Sequence, residues 1–180
     1  MRFRRIDSQV CLVLEIHNII ANGCGGEMVT TKALSPVKMI SDAFDLFEVG
    51  VAASVRRLEE KELIPSSTTS FFLIGSAIEL ALMCYLSHKG FCNEDLVNIN
   101  HDLELALEKA NTHGLQKIAS LSDDFIGSVK ELNAEFKYQN IQKANINPTQ
   151  LTVFHSLQGG ALQLLGVIAA EVGVAELPGI

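Results

Sequence analysis

The chain contains no tryptophan and only two tyrosines. That leaves little material for stacking bases, a contact worth about 1–3 kcal/mol per base in proteins that bind single-stranded nucleic acid. Basic side chains are also few: 14 Lys and Arg stand against 21 Asp and Glu, a formal charge of −7. The overall field therefore opposes association with nucleic acid or with an anionic membrane surface. The four cysteines, Cys11, Cys24, Cys84 and Cys92, form neither a CxxC pair nor a dense framework, which is the usage of reduced thiols in a cytoplasmic protein. A phosphate-cradling loop is missing too. Gly23, Gly25 and Gly26 do not sit between a strand and a helix, and Gly159–Gly160 falls within a helical stretch. No Ser, His and Asp grouping has the setting of a nucleophile elbow, and no cofactor is expected.

The opening residues imitate an export signal, with Arg2, Arg4 and Arg5 followed by the apolar run Val10 to Leu14. Glu15, His17 and Asn18 break that run, and Ala21-Asn22-Gly23-Cys24 is a poor match to a lipoprotein cleavage box, so the segment is not read as a leader. Val10, Leu12, Leu14 and Ile16 alternate as in a short strand before the glycines. Residues 1–34 are expected to be a weakly ordered arm, with 1–27 dispensable for folding. A helical domain over 35–175 and a tail at 176–180 complete the expected organisation.

What is present is apolar surface in helical register. Hydrophobic residues make up 48% of the 180, enough for one domain with a sizeable core. The stretch from Phe71 to Leu86 is apolar on nearly every side, and Glu79 is the only formal charge between Glu62 and Lys89. Such a helix must be covered all round, because a solvated face would leave large apolar area in water. Gly75, Ser76 and Glu79 interrupt it, and at this length it is too short for the roughly 20 apolar residues that a bilayer needs.

Helix boundaries are marked by capping chemistry. Ser35-Pro36 opens a first helix with the stripe Ile40, Phe44, Phe47, Val51, Val55 and Leu58, opposite Asp42, Asp45, Glu48 and Arg56. Ile64-Pro65 turns the chain into the central helix as an antiparallel neighbour, and Gly90 ends it. Asn93-Glu94-Asp95 starts a short turn, and His101-Asp102 opens a helix with Leu103, Leu107 and Ala110 inward and Gly114 as its stop. Ser122-Asp123-Asp124 opens another, with Phe125, Val129, Leu132 and Phe136 inside. The polar run Tyr138 to Ile146 reads as a loop. Asn147-Pro148-Thr149-Gln150 begins the last helix, whose stripe runs from Leu151 through Phe154, Leu157, Ala161, Leu165 and Ile168 to Val172. Gly159-Gly160 inside it costs about 1 kcal/mol per residue relative to Ala, and close approach of another helix is the expected reason.

Two of these segments carry a resemblance. Ser76-Ala77-Ile78-Glu79-Leu80-Ala81-Leu82 with Tyr85-Leu86 and Lys89-Gly90, followed by His101-Asp102-Leu103 and Leu132-Asn133, resembles the HEPN superfamily, in the branch whose core helix reads like AIELALKAYL and whose next helix opens with GHDL. Met83-Cys84 and Asn100 replace the Lys-Ala and Gly of those phrases. The likeness covers roughly residues 36 to 172. It implies an all-α, up-and-down bundle of four main helices plus a short one, paired as a homodimer. Many members are ribonucleases, often toxins, that use an Arg followed four to six residues later by His. Here the last arginine is Arg57, and none of Arg2, Arg4, Arg5, Arg56 or Arg57 has a His at that spacing. Cleavage of a phosphodiester would lose both its phosphate-holding cation and its proton carrier. The resemblance therefore implies a non-catalytic binding or regulatory module. Its partner would be RNA, a nucleotide or a companion such as a nucleotidyltransferase-like antitoxin. An unconventional ribonuclease toxin and a purely structural dimerisation domain are the alternatives. The basic and aromatic patch that follows Leu-Asn in that branch is partial here, as Phe136-Lys137-Tyr138.

The candidate site residues are Glu79, His101, Asp102, Lys137 and Tyr138. A carboxylate in apolar packing is costly unless paired, so Glu79 is either a site group facing His101, Lys137 or Tyr138, or a polar contact that fixes helix register or caps the turn at His101-Asp102. His101 and Asp102 are either an acid–base pair or a packed ring beside a helix cap. Catalysis, if present, would rest on Glu79, His101 and Lys137. Cys84 and His88 share a helix face and, with Cys92 and His101, form the one metal pattern worth weighing; Gly90 breaks the helix before Cys92, and the spacing fits no usual zinc module. No metal is expected.

Overall fold

The computed structural model describes residues 35–59, 68–136 and 150–174, with side chains described over 35–54, 69–134 and 153–174. The chain divides into Met1–Leu34 and Ser35–Ile180, and every described residue belongs to the second unit. The alternating segment at 10–16, the turn at 60–67, the polar run after 136 with Lys137 and Tyr138, and the tail lie outside the described residues.

Among the described residues the regular structure is all helical: α1 (Pro36–Glu59), α2 (Thr68–His88), α3 (Asn93–Val97), α4 (Leu103–Thr112), α5 (Leu115–Ile118), α6 (Asp123–Phe136) and α7 (Gln150–Val172). Local chemistry sets several ends. The Ser35 hydroxyl accepts from Lys38 N at 3.3 Å and Ser122 from Phe125 N at 3.2 Å, each satisfying a first-turn amide that the helix cannot. At the end of α2, Gly90 adopts φ 95°. Its amide reaches Ser87 O and that of Phe91 reaches Leu86 O, the paired bonds of a Schellman stop, which needs a left-handed residue. Gly173 closes α7 the same way, with Val174 N bonded to Ala169 O. The short α5 was not expected; it forms directly after the left-handed Gly114 and buries Leu115.

The helix α2 is the hub, packing against α1, α3, α4, α6 and α7. Ile74, Ala77, Ile78, Ala81, Leu82, Cys84, Tyr85 and Leu86 are essentially inaccessible, and they point to all sides of the helix because successive residues are rotated by about 100°. Beginning at Thr68, α2 is longer than the 71–86 read from its apolar run. By length and composition Thr69–His88 could cross a bilayer, as could Val153–Val172 of α7, but the α2 stretch is almost wholly buried inside the protein. Protein, not lipid, covers it.

Pairwise contacts set the helix directions. Pro36 O accepts from Cys84 Sγ, and a Cβ on Gly50 would lie 3.0 Å from Ile74 Cγ1, so α1 and α2 run antiparallel and nearly touch at Gly50. Phe71 meets Phe154 edge-on at 5.3 Å and Lys89 pairs with Glu171 at 2.6 Å, so α2 and α7 run in one direction. Phe125 packs on Gly160 while Ser120 O accepts from Gln163, which makes α6 and α7 antiparallel. A Cβ on Gly160 would sit 2.1 Å from Phe125 Cδ2, whereas one on Gly159 would meet nothing within 4 Å. Close helix approach thus accounts for one glycine of the pair.

One expected solvent position is corrected. Asp42, read on the wet side of α1, is buried; Lys38 one turn earlier reaches it with Nζ at 2.7 Å from Oδ2 while keeping its own side chain 52% exposed. A long aliphatic stem lets the ammonium stay hydrated while covering the carboxylate.

Candidate functional site

Glu79 projects from the middle of α2, and the residue that it meets is His101: Nδ1 donates to Oε1 at 2.8 Å. The carboxylate can only accept, so this ring nitrogen carries the hydrogen. Both side chains are largely covered, 16% exposed for His101 and 10% for Glu79. The hydrogen bond to Glu79 raises the His101 pKa above its ordinary 6.5, against the lowering effect of burial. The ring is therefore held toward its charged form, and a buried carboxylate has its counter-ion.

The backbone that presents His101 is unusual. Asn100 and His101 have φ of 50° and 61°, the only non-glycine residues with positive φ among those described. Left-handed conformation costs an L-residue with a Cβ about 1–2 kcal/mol, and Asn and His bear it better than most. This turn leads the chain from α3 into α4. Ile99 anchors one side of it as a fully buried side chain, and Asp102 anchors the other.

Asp102 is the cap of α4, its Oδ1 accepting from Leu105 N at 3.0 Å. The same oxygen accepts from Asn133 Nδ2 at 3.0 Å, and Asn133 Oδ1 accepts from Leu103 N at 2.8 Å. Asn133 thus clamps both the cap side chain and a free first-turn amide of α4 from its buried place on α6. Sequence reasoning named Asp102 but gave Asn133 no role in the site. The available signal was an amide set beside the apolar stripe Phe125, Val129 and Leu132.

Beside this clamp α4 and α6 leave an open groove of about 430 Å³ lined by Asp102, Glu104, Leu105, Glu108, Lys130, Asn133 and Ala134. Glu104 and Lys130 face each other across it at 3.4 Å, both about half exposed. Three carboxylates against one ammonium make it a poor seat for phosphate.

The Cys84, His88, Cys92 and His101 pattern weighed for a metal is not grouped among the described residues. Cys84 is buried under α1, its Sγ donating to Pro36 O at 3.1 Å, and burial pushes its thiol up to about 12. A zinc ligand must be a thiolate. Cys92 is exposed and bonds Asp95 at 3.0 Å; among the described residues no three His, Cys, Asp or Glu side chains are grouped as a metal site. Tyr85, part of the resemblance, is spanned between helices: its hydroxyl donates to His113 O at 3.0 Å, and burial raises its pKa. Of the five candidate residues, Glu79, His101 and Asp102 come together at the α3–α4 turn. Lys137 and Tyr138 are outside the described residues. Ser76 lies one turn from Glu79 with its buried hydroxyl unbonded, so Ser76 takes no part in the Glu79–His101 contact.

Compared with known protein families, with curated proteins and with solved structures, the chain matches none.

Proposed function

We propose that this chain is a cytoplasmic, non-catalytic binding or regulatory module of HEPN-like type, working as a homodimer. In that reading α1, α2, α6 and α7 are the four main helices of an up-and-down bundle, and α3 to α5 bridge α2 and α6. The observation that carries the proposal is the internal use of the acid–base candidates. Glu79 and His101 bind each other at 2.8 Å, and Asp102 caps a helix. A general base must be able to reach the proton that it removes; the pairing occupies only Nδ1 of His101, and what weighs against catalysis is the burial of both side chains, 16% and 10% exposed, and the capping duty of Asp102. The missing Arg-to-His spacing supports the same conclusion from the sequence. The acidic lining of the α4–α6 groove favours a companion protein with basic side chains over RNA or a nucleotide, in keeping with a regulatory partnership of the toxin–antitoxin kind.

Incubation of the purified chain and of His101→Ala with single-stranded and folded RNA tests this. Intact RNA with both proteins is expected; cleavage by the wild type that disappears in His101→Ala overturns the proposal in favour of a ribonuclease. Sedimentation tests the homodimer element, with a mass of two chains expected and a monomer at tens of micromolar removing it.

A further inference from the structure

We draw no further inference here: the strongest candidate, the outer face of α7 from Gly159 to Ala170, which bears no formal charge and exposes Leu162, is a small-residue stripe, and nothing in the structure shows what covers it.

Discussion

Thr69–His88 of α2 and Val153–Val172 of α7 have the same length and are both apolar enough to cross a membrane, yet nearly all of the first is buried and less than half of the second. The difference lies in how many neighbours each has. Helices surround α2 on all sides, while α7 packs mainly on α1, α2 and α6 and turns Gly159, Leu162, Gln163 and Ala170 outward. Apolar composition measures what a helix can bury, not what surrounds it. The two also use their exceptions differently. The one acid of α2 is covered and paired with His101, whereas the acid of α7, Glu171, lies at its end and reaches Lys89 across the surface.

The sharpest way to break this comparison is to truncate one leucine in each helix. Leu82 is fully buried and Leu162 is 43% exposed. Leu82→Ala is expected to cost about 3–4 kcal/mol through lost transfer energy and a cavity, and Leu162→Ala less than about 0.5 kcal/mol, both read from urea midpoints. Equal losses would mean that the outer face of α7 is covered in solution. The adjacent glycines give a second contrast. Gly160→Ala drives a methyl into Phe125 and should cost about 2 kcal/mol. Gly159→Ala meets open space and should gain up to about 1 kcal/mol from helix propensity.

A smaller effect is expected at the polar exception of α2. Because the folded pKa of His101 lies above its ordinary 6.5, its protonation stabilises the fold fully below that value and the contribution is lost as pH rises through the folded pKa. Glu79→Gln should remove this slope, lower the imidazole pKa in an NMR titration and cost about 1–2 kcal/mol at pH 6. An unchanged His101 titration in the variant would show that the carboxylate does not hold the ring. The smallest change is expected from Lys89→Met. The Glu171 carboxylate raises the Lys89 pKa and is itself lowered in return, but both groups meet water and salt screens such pairs. The urea midpoint should barely move, and any loss should vanish at high ionic strength.

Much of the helical layout was readable because its signals are short-range. Ser35, Asp102 and Ser122 each bond an amide three residues ahead, and Gly90 needs only its own φ to end α2. Glu79 was conspicuous as a lone acid in an apolar run, and its cost without a partner made His101 worth naming. Other features depend on residues far apart in the chain. Asn133 meets Asp102 across 31 positions, so the amide beside the α6 stripe was visible but the helix cap that it clamps was not. The left-handed pair Asn100-His101 was equally hidden, because its strain is sustained by Glu79, 22 positions from His101, and by the cap at Asp102. The burial of Asp42 is hidden from the sequence for a related reason: periodicity along a helix says which way a side chain points, but not that Lys38 will lie over it.

Apolar periodicity and capping residues were sufficient to establish the helices of the described residues and an enclosed rod carrying one acid, since both act over three or four residues. That His101 would meet this acid, which glycine would admit Phe125, and which apolar helix would keep an open face depended on packing. Those outcomes arise from side chains brought together across tens of positions, and no stretch of chain encodes them alone.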